Sequence, residues 1–341
     1  MKSLKRWNYI IIIFLSVITI SIQSCSKDDD AVAPQENTDV NADNDADGST
    51  GGDTGGDTSG DNDSGNEDEE LKMITLYKVD GEKIIKEKDY DVTGRALEFQ
   101  KDTKKHEEIW ELVKKIVPLV YRLKMNEFVI YSAQESGVAG YVVERTKDLS
   151  QWQMGIAIDY AYYGGFNVDG ELAYTIVHEF GHIITLDKVQ VDSSVEPADC
   201  KTYFTGEGCS RESSNINNIY QNHWADVWPE FEEIKDEKGR QKFYNSYKER
   251  FVTQYASTNP GEDIAEVFAT FVTRASGVNG DSGAEKKIQI MYNDSEMVKL
   301  RDYIRGNIAK SSRSFLPAPG SWKNANTFGN KKKSHCSLRK H

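Results

Sequence analysis

Residues 172–186 read Leu172-Ala173-Tyr174-Thr175-Ile176-Val177-His178-Glu179-Phe180-Gly181-His182-Ile183-Ile184-Thr185-Leu186, and the spacing within this run organises the rest of the chain. Leu172, Ile176, Phe180 and Ile183 recur at helical intervals, and Asp169, after a Gly-rich turn, suits the N-cap. On that helix His178 and His182 stand on one face, one turn apart. Such a pair suits two ligands of one zinc ion, with Glu179 beside the first histidine where it can take a proton from a metal-bound water. The chain has six histidines, and three fixed letters of this kind arise by accident in about one such chain in a hundred or fewer. The bland alternative is one surface histidine and one buried one.

The N-terminus reads as an export signal. Lys2, Lys5 and Arg6 precede an almost unbroken apolar run from Tyr9 to Ile22, which leads into Ile22-Gln23-Ser24-Cys25. A bilayer span needs about 20 residues, more than this run offers. Ser24 before Cys25 looks like the cleavage box of bacterial lipoproteins, so residues 1–24 are expected to be removed and Cys25 acylated. The next residues, Ser26-Lys27-Asp28-Asp29-Asp30, resemble an export tag of some surface lipoproteins, which implies an outer-membrane lipoprotein exposed at the cell surface. The competing reading of Cys25 is a thiol at the end of a short membrane anchor.

Residues 26–70 are built from Asp, Gly, Ser, Thr and Asn, without an aromatic residue. Such a composition cannot bury enough apolar surface to offset the entropy of ordering, so residues 25–70 read as a lipidated cysteine followed by a disordered acidic tether. A coil of this length reaches about 40 Å. Asp43, Asp45, Asp47 and Gly48 imitate a calcium loop, but Thr54 stands where the final glutamate belongs. The net charge of −13 belongs to this segment, which holds sixteen acids and one base and leaves residues 71–341 at −1. Nothing in that near-neutral remainder suits nucleic acid. Of four cysteines, Cys200 and Cys209 bracket a short loop that reads as a local disulfide or, alternatively, as two free thiols. Cys336 falls in a basic tail, residues 316–341.

Residues 71–315 are long enough for one core of ordinary size. A helix is expected near 103–123, broken or kinked at Pro118. Strand patterns follow at Phe128–Tyr131, Gly140–Arg145 and 151–159. The last of these directly precedes the histidine helix, which makes it the candidate to pair with an extended substrate, or else an ordinary sheet strand. Helical patterns resume around 219–234 and 242–251, then after Asn259-Pro260 through Ile264, Val267, Phe268 and Phe271, and again near 296–308.

A catalytic zinc site generally takes three protein ligands and an open position. Thr185 and Lys188 stand where a metzincin would have Gly and His, which closes that option. His223, Asp226 and Glu262 remain. Around Glu262 the chain reads Tyr255-Ala256-Ser257-Thr258-Asn259-Pro260-Gly261-Glu262-Asp263-Ile264-Ala265-Glu266. This run, together with His178-Glu179-Phe180-Gly181-His182, resembles the lethal-factor-like zincins, whose third ligand is a glutamate, and the zinc-binding metallopeptidase lipoproteins. Tyr255, Asn259, Glu262 and Glu266 stand at the matching positions. The resemblance covers about twenty residues, and the segment between its two parts is long for the family.

That resemblance implies an α+β, zincin-like metallopeptidase fold over residues 71–315. Its N-terminal lobe would run helix, sheet, active-site helix, and its C-terminal lobe would be mostly helical. It implies Glu262 as the third metal ligand, Tyr255 as a donor to the oxyanion, and Glu266 behind the ligands. Asn259 and Glu262 also form a capping box, in which the glutamate only satisfies a backbone N–H. Glu266 is open as a reserve ligand, as a hydrogen-bond partner of a histidine, or as a solvated helix residue. The functional expectation is a monomeric, membrane-tethered zinc peptidase acting on peptide or protein substrates. Its rival is a catalytically inactive surface lipoprotein that binds a protein or glycan.

Overall fold

Alternation along the strands sets a five-stranded sheet between two apolar layers. The computed structural model describes residues 71–133, 136–166 and 171–308. The residues expected to form the export signal, the lipidated Cys25, the tether, the Asp169 cap and the basic tail with Cys336 lie outside them. No helix among the described residues is long and apolar enough to cross a membrane.

The chain opens with a hairpin, β1 (Lys72–Asp80) and β2 (Lys83–Asp89). Helices α1 (Gly94–Lys101), α2 (Thr103–Ile116) and α3 (Leu119–Arg122) follow. Next come β3 (Met125–Ser132), β4 (Gly140–Glu144), β5 (Trp152–Ala157), the short α4 (Ile158–Ala161) and α5 (Glu171–Leu186). The strand order is β2-β1-β3-β5-β4, with β3 and β5 parallel and every other pair antiparallel. In β3, Phe128 and Ile130 belong to the main core, together with Ile109, Val113 and Ile116 of α2 and Ile176, Val177 and Phe180 of α5. Val129 and Tyr131 face the other way, into a smaller cluster with Tyr141 and Ala157. Each such side chain contributes about 1.5–3 kcal/mol by leaving water.

Pro118 ends α2 as its chemistry requires. The carbonyls it leaves unpaired are taken up by buried Arg122, whose Nη1 donates to Lys114 O at 2.9 Å and Val117 O at 2.7 Å. Its Nε donates to Gly81 O at 3.1 Å, so the same side chain pins the tip of the β1–β2 hairpin. That hairpin is absent from the sequence expectations because six of the seven residues of β2 are exposed or nearly so and show no apolar face.

The second half is helical apart from a two-strand ribbon, β6 (Val191–Asp192) and β7 (Cys209–Ser210). Its helices are α6 (Asn215–His223), α7 (Trp228–Glu232), α8 (Glu237–Ser246), α9 (Pro260–Thr273), α10 (Gly283–Asn293) and α11 (Ser295–Ile308). The architecture is therefore mixed α+β. Cys200 and Cys209 are joined as a disulfide. Of the two readings of 151–159, the ordinary sheet strand holds and the substrate-pairing strand does not: β5 is paired on both sides, by β3 and β4, so its backbone groups are already spent, and residues 158–159 belong to α4. β4 is the last strand of the sheet, on the side of α5, and its first three residues are buried.

One buried histidine serves the core alone. His106 on α2 accepts from Tyr77 Oη at Nδ1 (2.7 Å), and its Nε2–H donates to Phe99 O (3.0 Å). Burial pushes this imidazole down to about 4, against the weaker opposing effect of the Phe99 hydrogen bond. Its folded value lies below the unfolded one of about 6.5, so the stability it contributes is complete above pH ~6.5 and declines toward pH ~4, by on the order of 3 kcal/mol. Imidazole NMR is expected to show the Nε2–H tautomer persisting to about pH 4. Protonation of His106 near pH 6.5 would contradict the assignment.

Candidate metal centre

The site is made by two helices that touch. Gly181, between the two histidines of α5, faces α9 so closely that a Cβ there would sit 3.2 Å from Phe268 Cδ1 and 3.3 Å from Ala265 Cα. The N-terminus of α9 is fixed by Asn259, whose side chain accepts from Glu262 N at 2.9 Å, with Pro260 at the first position. The Glu262 carboxylate turns to α5, with Oε2 3.1 Å from His178 Nε2 and 3.4 Å from His182 Nε2. The two Nε2 atoms are 3.1 Å apart.

His178, His182 and Glu262 thus offer one ligand atom each, all within 4.8 Å of one another and all buried. A group so arranged can hold a metal ion. Two imidazole nitrogens and one carboxylate oxygen are a donor set that zinc accepts. The charges agree as well. Burial opposes charge on His178, but its hydrogen bonds to Glu262 and Glu266 prevail and hold the imidazole up at about 10. Both carboxylates thus favour positive charge at this point, the sign that a divalent cation carries.

Glu266, one turn beyond Glu262, is neither a ligand in this group nor solvated. Its Oε1 lies 2.8 Å from His178 Nδ1, which orients the ring and leaves Nε2 for the centre. Its Oε2 accepts from Thr253 Oγ1 at 2.6 Å and Tyr174 Oη at 3.1 Å. Neither Tyr174 nor Thr253 is among the residues singled out from sequence. Tyr174 stands one turn before His178, a position that helical spacing alone could have flagged.

Glu179 is buried and lies against the edge strand. A Cβ at Gly140, the first residue of β4, would fall 3.1 Å from Glu179 Cγ and 2.5 Å from Thr175 Cγ2. Only glycine lets β4 run this close to the side chain next to the ligand pair. Tyr255 sits in the turn before α9, its ring centroid 5.8 Å from that of His178. Desolvation first, then the charges of Glu262, Glu179 and Glu266, push its hydroxyl well above the ordinary tyrosine range, so it remains a donor. The other two candidates for the third ligand lie elsewhere. Asp226 is paired with Arg250 at 2.7 Å, and His223 is held down to about 4 by burial and by Lys287 and Arg250.

Comparisons with protein-family models, with curated proteins and with solved structures return no match.

Two outcomes are expected. Because Glu262 and Glu266 favour the protonated His178 imidazole, zinc uptake at pH 7 should release about one proton, read by calorimetry in buffers of different ionisation enthalpy; an uptake without proton release contradicts that expectation. Glu266→Gln should weaken zinc binding by about 10-fold to 100-fold while the metal-free protein stays folded. An unchanged affinity would show that the Nδ1 contact does not orient the ligand.

Proposed function

We propose that this chain is a zinc-dependent peptidase of the zincin type. Its third ligand is Glu262, as in the lethal-factor-like group, and it is tethered to the outer membrane through Cys25. The observation that carries this reading is the convergence of His178 Nε2, His182 Nε2 and Glu262 Oε2 in one buried cluster. The acid Glu179 follows directly on the first histidine. A purely structural zinc site is usually closed and Cys-rich, and this donor set contains no sulfur.

Zinc held by these three residues would supply a Lewis acid that polarises the scissile carbonyl and makes water acidic near neutrality. Glu179 takes the proton of the attacking water and returns it to the leaving amine. Tyr255 donates to the oxygen on which charge develops, a contribution of about 3 kcal/mol by analogy with other oxyanion donors. Glu266 keeps His178 in the tautomer with its Nε2 available to the metal. β4 is the last strand of its sheet, and an extended peptide laid along it would pair its backbone within reach of Glu179. Gly140 lets the start of that strand lie against Thr175 and Glu179.

Glu179→Gln should retain about one equivalent of zinc and lose peptide cleavage by about 10²-fold to 10⁴-fold. Zinc content by elemental analysis and turnover of a mixed peptide library measure both. Full turnover in the variant would remove Glu179 from the mechanism. Metal-free wild-type protein that still captures a protein or glycan would favour the inactive surface binder.

A further inference from the structure

The residue after the proposed third ligand has a different set of partners. Asp263 Oδ2 accepts from Trp224 Nε1, at the end of α6, at 2.7 Å, and from Lys287 Nζ of α10. The side chains of Asp263 and Lys287 are both 0% exposed. The ammonium also lies 4.6 Å from the centroid of the Phe251 ring. Both donors converge on one oxygen, and Asp263 Oδ1 has no hydrogen-bond partner among the described residues.

This is a poor way to stabilise a core. Taking two charges out of water costs about as much as their attraction returns, and a carboxylate oxygen left without a donor adds to that cost. An apolar pair of the same shape would stabilise the fold equally well. What an apolar pair lacks is direction.

Direction matters at this turn. A carboxylate on a helix stands about 5–6 Å from the axis, so a rotation of ~10° carries it about 1 Å. Metal–ligand distances tolerate only about ±0.2 Å. The contacts of α9 with Gly181, through Ala265 and Phe268, are packing contacts and carry no directional side-chain bond. The Asn259 cap belongs to the helix end and turns with it. Glu266 grips the histidine side of α9, and Asp263 grips the side facing α6 and α10. The first turn, which carries Glu262, is thereby held from two directions.

We infer that Asp263, Lys287 and Trp224 are positioning residues for the metal centre, a buried polar latch that fixes the rotation of α9 and so the placement of the Glu262 carboxylate. The inference rests on the metal-centre reading given above. The test uses the full chain and two readouts: thermal unfolding of the metal-free protein, and the zinc dissociation constant by competition with a chromophoric chelator. The double variant Asp263→Leu/Lys287→Met keeps side-chain shape and removes both charges. It should remain folded, with an unfolding temperature close to that of the wild type because the charges it removes offset the Trp224 Nε1–H it leaves unpaired, and bind zinc at least about tenfold more weakly. Trp224→Phe, which removes one donor from the same oxygen, covers the case in which the double variant does not fold, and should weaken zinc about threefold or more. Zinc affinity within about twofold of wild type, in the folded double variant or failing that in Trp224→Phe, would reduce the latch to ordinary packing. Wild-type protein that takes up no zinc would overturn the metal-centre reading itself, and the latch with it.

Discussion

The close approach of α5 and α9 at Gly181 is the contact on which the site depends. A glycine inside a helix costs about 1 kcal/mol relative to alanine, and here that cost admits the backbone of a second helix. Glu262 and Glu266 lie 84 and 88 residues beyond His178 in the chain. They meet it because Ala265 and Phe268 can close on the gap where a side chain would have been. A methyl group at position 181 would push on Ala265, whose backbone sits between the two glutamates, and so on both carboxylates at once.

Around that contact the polar groups are divided by role. Three side chains point ligand atoms at one small volume. Behind them, Tyr174 and Thr253 hold the Glu266 carboxylate, which in turn holds His178. In a buried setting each of these bonds is stronger than it would be in water, and each group left unpaired would be costly. The edge strand β4 completes the arrangement from the sheet side, through the absence of a side chain at Gly140.

The parts of this site legible in the sequence were those that depend on local period. The helix through His178 and His182, the break at Pro118 and the Asn259-Pro260 start of α9 all follow from rules that operate within a few residues. Glu262 was distinguishable from His223 and Asp226 only through resemblance, because spacing says nothing about which distant carboxylate returns to a helix. The order of strands was equally out of reach. β4 and β5 both read as strands, and which of them forms the edge depends on β5 pairing in parallel with β3. β2 escaped because it has no apolar face to mark it. Lys287 looks like any helix-surface lysine in the sequence, and its complete burial arises from the packing of α6, α9 and α10 together.

The donor set has one further consequence. Nitrogen and oxygen donors present no thiolate to an oxidant, and among the described residues the two cysteines are already joined to each other. A centre of this kind neither loses a ligand to peroxide nor exchanges one with a passing thiol. Its occupancy would follow acidity and the supply of cation, and would be indifferent to the redox state of its surroundings.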